Sequence, residues 1–394
     1  MFLKKIFKFP FVILVIAVLV YMFGDLIPMT AKQIIYSISL TIKDIIVIVL
    51  PLLIFSFVLF GMANFDNESP KIILLLIGLV CISNFCGFWV SYIITAPILK
   101  NNLITISTIQ AQEKLQPGFS TGFLHMFMIK NANMYALIAG ITIGLACLVC
   151  KKNIRPLSEK LNHYANFILK KIILPLLPIL ISGFIIQMHH EKTLTAIAME
   201  YGKLLIYIST LTYCYMFIML FILSGFNIRS MISKFRNLLP GISIGFFSMS
   251  SAAAIPSTID AVQKNIKNEN IGRFVVPASA NMHLLGDCFV LPVIALALMV
   301  SFGKEIPSIS QYLTFSLMGV MAKFSAAGIP GGSAIILQPI LAGVFGFDKE
   351  MCGAVLTIYM LFDSVATSAN VFGHGIFAEF FNSVLSFIKR GKSK

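Results

Sequence analysis

The chain has 394 residues, 58% hydrophobic and only 12% charged, with a mean hydropathy of +0.91. A water-soluble domain is about half apolar and about a quarter charged, so this composition excludes a soluble fold and calls for a bilayer. The net charge of +14 does not point to nucleic acid, because the basic residues gather in alternate loops between apolar runs, which is how membrane topology is signalled.

The first apolar run, Phe9–Phe23, follows Lys4, Lys5 and Lys8. No small-x-small cleavage site comes after it, so an uncleaved first helix is expected rather than a signal peptide. Further runs are Ile45–Met62, Ile72–Leu99, Met134–Cys150, Ile172–Met188, Leu204–Leu223, Phe274–Phe302 and Met351–Phe372. Each approaches the ~20 apolar residues that cross the hydrocarbon, giving about eight spans. Three more runs, near Leu238–Pro256, Tyr312–Pro330 and Ser333–Phe347, are broken by Ser, Gly and Pro. The loop charges place both termini in the cytoplasm of a multi-pass protein of the inner or plasma membrane. Seven cysteines are scattered. The Cys147–Cys150 pair has no partner nearby for zinc or redox chemistry, and His189 and His190 are expected in a solvated outer loop. No GxSxG, HExxH or Walker-type glycine loop occurs, so nothing points to an enzyme, a metal centre or a cofactor.

From about Ser243 onward Ser, Gly, Pro, Asn, His and Asp concentrate inside apolar sequence, where polar groups are kept only if they face a cavity or pathway. One internal repeat stands out. Ser251-Ala252-Ala253-Ala254-Ile255-Pro256 returns as Ser325-Ala326-Ala327-Gly328-Ile329-Pro330. Both copies sit midway through broken runs, and each reads as the tip of a re-entrant helical hairpin that turns near its Pro. Exposed helix ends there offer N–H groups to anions and C=O groups to cations. The loop count opens the first hairpin to the cytoplasm and the second to the outside.

Four elements carry a family resemblance. They are Ser248–Pro256, the run Pro277-Ala278-Ser279-Ala280-Asn281-Met282-His283-Leu284-Leu285-Gly286-Asp287, the tip Ala327-Gly328-Ile329-Pro330-Gly331-Gly332, and Asp363-Ser364-Val365-Ala366-Thr367-Ser368-Ala369-Asn370-Val371-Phe372-Gly373-His374. In this order they resemble the dicarboxylate/amino acid:cation symporters, the glutamate-transporter family. The resemblance covers most of the chain and is weaker in the first half. It implies an all-α integral membrane fold of about eight transmembrane helices and two re-entrant hairpins. It also implies a homotrimer and a transport core moving against a fixed scaffold. Residues 1–237 are then scaffold and peripheral spans, of which the third and sixth helices are candidates to move with the core, and 238–394 are the transport core. Asp363 stands where the family binds a substrate α-amino group, Asn370 where it binds the α-carboxylate, and Thr367 lies in the same pocket, completed by Ser250, Ser251 and Gly328. The residue types agree with this, since an ammonium in low dielectric needs a paired carboxylate.

The departures decide the substrate class. The family's arginine for a second carboxylate is Ala366 here, and the alternative arginine position is Met249, so no guanidinium remains to hold a side-chain carboxylate. The cation sites are altered as well. His283 replaces an Asn, Leu285 an Asp, Asp287 a Thr and His374 an Asp, while Asn281 and Lys323 fall near cation positions. Imidazole is a poor ligand for a hard cation. Coupling is therefore left open between protons carried by His283 and His374, retained sodium, and loss of coupling with Lys323 and Asp287 standing in for a bound ion, beside the plain reading that the two histidines only fill polar space. A transition-metal site on the two histidines lacks further ligands.

The expected function is symport of a small neutral amino acid by an elevator-type mechanism. Its partners are a small-molecule substrate and the lipid bilayer, and its coupling ion is H+ or Na+. A sodium-coupled dicarboxylate, glutamate or aspartate symporter is the alternative within the class. A transport-inactive solute sensor or structural membrane protein is the alternative outside it.

Overall fold

A computed structural model describes residues 8–63, 70–101, 115–120, 122–127, 132–150, 154–168, 171–172, 174–191, 193–266, 269–280, 282–324 and 331–391. Among the described residues the regular structure is helical throughout, as hydrocarbon requires of a chain that must satisfy its own backbone. The first half comprises α1 (Lys8–Phe23), α2 (Met29–Ala63), α3 (Pro70–Lys100), α4 (Ala132–Val149), α5 (Arg155–Ile168), α6 (Leu174–His190) and α7 (Thr193–Leu223). The second half comprises α8 (Ile228–Ser248), α9 (Ser251–Ile266), α10 (Glu269–Ser279), α11 (Leu285–Ser301), α12 (Ile309–Lys323), α13 (Gly332–Phe345) and α14 (Lys349–Gly391). By length and apolar composition, Lys71–Lys100, Gly202–Leu223 and Lys349–Ile388 are able to cross a membrane.

Several expected boundaries shift. The second helix begins at Met29, well before the apolar run at Ile45. Its polar first half is buried against neighbours: Ser37, Ser39 and Asp44 are all inside, and Ser39 Oγ donates to the Ile179 carbonyl at 3.0 Å. A Cβ at Gly183 would overlap Ser39, so α2 and α6 meet at a small-residue contact of the kind that brings membrane helices together. Helix α5 lies between the apolar runs and is amphipathic rather than apolar. The pair His189–His190 is not in a solvated loop but in the last turn of α6. Glu191 beside it is fully buried, accepting from Leu115 N–H (3.2 Å) and Gln187 Nε2 (3.1 Å).

In the second half, α8 and α9 pack against each other across a two-residue break. Asn227 caps the start of α8, its side chain accepting from Ser230 N–H. The helix ends at Met249, which is left-handed (φ 48°) and buried. The turn is therefore at Met249–Ser250, and Pro256 lies inside α9 rather than at the bend. Ala is the best helix former, so Ser251-Ala252-Ala253-Ala254 resumes helix at once. The second copy of the repeat, Ser325–Pro330 with Gly328, and also Asn281, lie outside the described residues. The expected span Phe274–Phe302 is two helices, α10 and α11, separated at 280–284.

The core is organised around α14. At 43 residues it is about 65 Å long, twice the ~30 Å hydrocarbon. In its span, 89% of the most apolar stretch is buried, against 33% for the span in α3 and 22% for that in α7. Helices α8, α9, α10, α11 and α13 all pack on α14, and α3 and α7 flank this group through α11 and α14. Helices α4 and α5 pack on α2 instead, and α6 packs on both α2 and α14. Near the end of α14, Glu379 takes Lys234 Nζ (2.5 Å) and Asn265 Nδ2 (2.9 Å), while Asn237 Nδ2 donates to Asn265 Oδ1 (2.8 Å). This half-buried polar clamp fastens both arms of the α8–α9 pair to α14.

Candidate functional site

On α14 the positions Asp363, Thr367 and Asn370 are spaced i, i+4, i+7 and therefore share one face. All three are buried, at 2%, 5% and 3% exposure. Thr367 Oγ1 donates to Asp363 Oδ1 at 3.0 Å. The other oxygen, Oδ2, accepts the Gly331 N–H at 2.9 Å. Gly331 is left-handed (φ 73°) and precedes the first turn of α13, so the Asp363 carboxylate holds the entrance of α13. These two donors to Asp363 are neutral.

Asn370 reaches the neighbouring helix. Its Oδ1 accepts the Asp287 N–H at 3.2 Å, in the first turn of α11. This approach depends on Gly286, where a Cβ would overlap the Ala366 carbonyl oxygen and sit 2.8 Å from Ala369 Cβ and 3.0 Å from Asn370 N. Ala366 is thus fully buried beneath α11.

Asp287 is the second buried carboxylate. Its Oδ1 accepts from the Tyr359 hydroxyl at 2.7 Å and its Oδ2 from the Ser333 hydroxyl. Lys323 Nζ, from the end of α12, lies 3.6 Å from the same Oδ2, with side chains 1% and 2% exposed. Four helices, α11 to α14, therefore meet at one carboxylate. Around Asp287 and Asp363 the described groups are two carboxylates and one ammonium, which leaves one carboxylate without a cationic partner among the described residues.

The histidines form a separate cluster. His283 stacks on Phe377 (ring centroids 4.4 Å apart) and lies 6.3 Å from the His374 ring. Ser83 Oγ is 2.8 Å from His283 Nε2, and Asn84 Nδ2 donates to the Met282 carbonyl at 2.7 Å. Among the described residues, His283 Nδ1, His374 Nε2 and Asn84 Oδ1 are buried with no hydrogen-bond partner.

The α8–α9 pair reaches this region through Gly245, where a Cβ would lie 3.3 Å from the Thr367 carbonyl oxygen. The break carrying Ser250 and Ser251 begins one helical turn further on. Ser251 is buried, while Ser250 is half-buried with its carbonyl accepting from Ala253 N–H at 3.2 Å.

The structure thus joins Asp363 to Thr367, Asn370 to Asp287, Asp287 to Lys323, and His283 to His374. Sequence reasoning missed Ser333, Tyr359, Ser83, Asn84 and Phe377. Tyr359 was findable, being four residues before Asp363 on the same helical face. So was the Ser83–Asn84 pair, which interrupts an apolar span. Ser333 directly follows the second tip motif.

A model of the sodium:dicarboxylate symporter family matches residues 9–384. Relatives include a serine/threonine transporter SstT of Acinetobacter baumannii (strain AYE), 24% identical over 339 residues, covering 82% of this chain and 83% of the relative. A protein of the same name from Acinetobacter baylyi is 23% identical over 354 residues, covering 82% and 84%. Another from Streptococcus thermophilus (strain CNRZ 1066) is 24% identical over 245 residues, covering 60% and 58%.

Proposed function

Since the chain belongs to the sodium:dicarboxylate symporter family, we propose that it carries a small neutral amino acid, of the serine or threonine kind, by proton-coupled symport. The observation that carries this reading is the Asp363 carboxylate, buried and held by neutral donors such as the Gly331 N–H and Thr367 hydroxyl, with no basic side chain paired to it among the described residues. Such a carboxylate suits a substrate ammonium. The Asn370 amide, with Ser250, Ser251 and Gly328 of the two repeated sequence motifs, is proposed for the substrate carboxylate, and Thr367 for a substrate hydroxyl. The position an arginine would need in order to hold a second carboxylate is Ala366, enclosed by α11. The relatives' names point to the same hydroxylated substrates.

The proposed movement takes residues 238–394, with α3 and α7, against the remaining scaffold. The packing of α3 on α11 and of α7 on α14 supports including them. The two helical hairpins are proposed as re-entrant gates among about eight spans. Both termini are placed in the cytoplasm of a cell membrane, and a homotrimer is proposed on the family resemblance.

A zwitterion brings no net charge to a site that carries one uncompensated negative charge, so a single cation neutralises the loaded core. The adjoining His283–His374 pair, with two ring nitrogens unpartnered among the described residues, is the proposed proton carrier. The test is uptake of labelled serine, threonine, glutamate and succinate into proteoliposomes under a pH gradient, a sodium gradient, or neither. Serine or threonine accumulation driven by external acid is expected. Sodium-driven glutamate or succinate uptake overturns the reading in favour of a dicarboxylate symporter. Serine-dependent thermal stabilisation without flux favours a sensor. In the variant His374→Ala, acid-driven accumulation is expected to disappear, and its persistence at full level removes His374 from coupling.

A further inference from the structure

Lys323 is an unusual lysine. Long cationic side chains in membrane proteins normally extend to the interface and keep their heads in water. Lys323 does not: its side chain is 1% exposed, its ammonium has no hydrogen-bond partner among the described residues, and its nearest aromatic surface is the Phe88 ring at 6.0 Å. Its charge is matched by the Asp287 carboxylate at 3.6 Å. The two carboxylate oxygens are at the same time occupied by Tyr359 and Ser333 hydroxyls. One ammonium, one carboxylate and two hydroxyls from α11, α12, α13 and α14 thus form a closed polar cluster inside apolar packing.

A buried ion pair costs desolvation on both partners and is weak evidence of stability for its own sake. Its position suggests another use. The cluster ties the facing ends of α12 and α13, which flank the second tip motif, to the α11 start that Asn370 also grips. A carboxylate with hydroxyl neighbours is the donor set that a hard monovalent cation takes, since such cations favour oxygen ligands. We propose that the Lys323 ammonium is a covalently tethered counter-ion at Asp287, occupying the place of a dissociable sodium ion. Substrate binding then needs no dissolved sodium at this position. This rests on the symporter reading above and adds to it why sodium is dispensable in a chain whose family is named for it.

The experiment uses the full chain, purified and reconstituted, with sodium replaced by choline. Wild-type serine uptake and thermal midpoint are expected to be the same in both salts. Lys323→Met leaves Asp287 buried without its counter-ion, so its uptake in choline is expected to fall about tenfold or more. Sodium or lithium restores part of that uptake and raises the variant's thermal midpoint, by linkage to ion binding. The double variant Lys323→Met with Asp287→Asn, which removes both charges, is expected to lose this response to sodium. Sodium dependence of the wild type, or a Lys323→Met protein equally impaired in every salt with no thermal response, overturns the proposal. Should Lys323→Met not fold, the wild-type comparison decides alone. Failure of the substrate reading is distinguishable: a wild type that moves no neutral amino acid defeats that reading, while the thermal responses to sodium still test the tethered cation.

Discussion

Replacing Asp363 by Asn is expected to cut serine uptake by about 100-fold or more while leaving the protein folded, because losing one partner of a buried charged contact costs about 2–5 kcal/mol. Asn keeps a carbonyl oxygen, so one of the two neutral donors, Gly331 N–H or Thr367 Oγ1, retains its acceptor. What is lost is the negative charge. Among the described residues that charge is buried without a matching cation, so its removal should hold or raise the thermal midpoint. Falling transport with an undiminished midpoint is the signature of a substrate contact. Falling stability alongside falling transport would mark Asp363 as a structural carboxylate that pins α13, and the substrate ammonium would then need another partner. Serine-dependent thermal stabilisation supplies the control: it should be present in the wild type and absent in Asp363→Asn.

Gly286→Ala is expected to destabilise the protein by about 1–3 kcal/mol, the usual cost of overpacking, and to lower the thermal midpoint by several degrees. The added Cβ would overlap the Ala366 carbonyl and press on Ala369 and on Asn370 N. These are backbone and Cβ atoms of a buried helix, so neither side yields by rotating a side chain. The strain falls on the contact that positions the Asp287 N–H against Asn370 Oδ1, so uptake should suffer beyond the loss of folded protein. Gly202→Ala on α7 is the matched control, since a Cβ there meets nothing within 4 Å. Equal behaviour of the two variants would show that α11 and α14 are not held at the separation described.

The Met249–Ser250 break shows where sequence reasoning misplaced a feature it had correctly sensed. The Ser-Ala-Ala-Ala-Ile-Pro repeat flags an interruption, and Pro draws the eye to the bend. The bend instead falls on the left-handed Met249, a conformation that a non-glycine residue adopts only when its surroundings impose it. Likewise, the polar first half of α2 is not apolar enough to read as a span. It is helix because Ser39 and its neighbours find partners on α6.

By itself the sequence determined the solvent, the helical class and the family, because apolar length and motif order are local properties of a chain. It also determined the face of α14, since Asp363, Thr367 and Asn370 must align on any helix with 3.6 residues per turn. Only the tertiary structure decided what those residues touch. The Asp287–Lys323 pair, the Tyr359 and Ser333 hydroxyls on the same carboxylate, and the Ser83–His283 contact join positions 36, 72, 46 and 200 residues apart. Such pairings follow from how closely α3, α11, α12, α13 and α14 approach one another. That approach is set by small residues such as Gly286 and by the demand that every buried polar group find a partner.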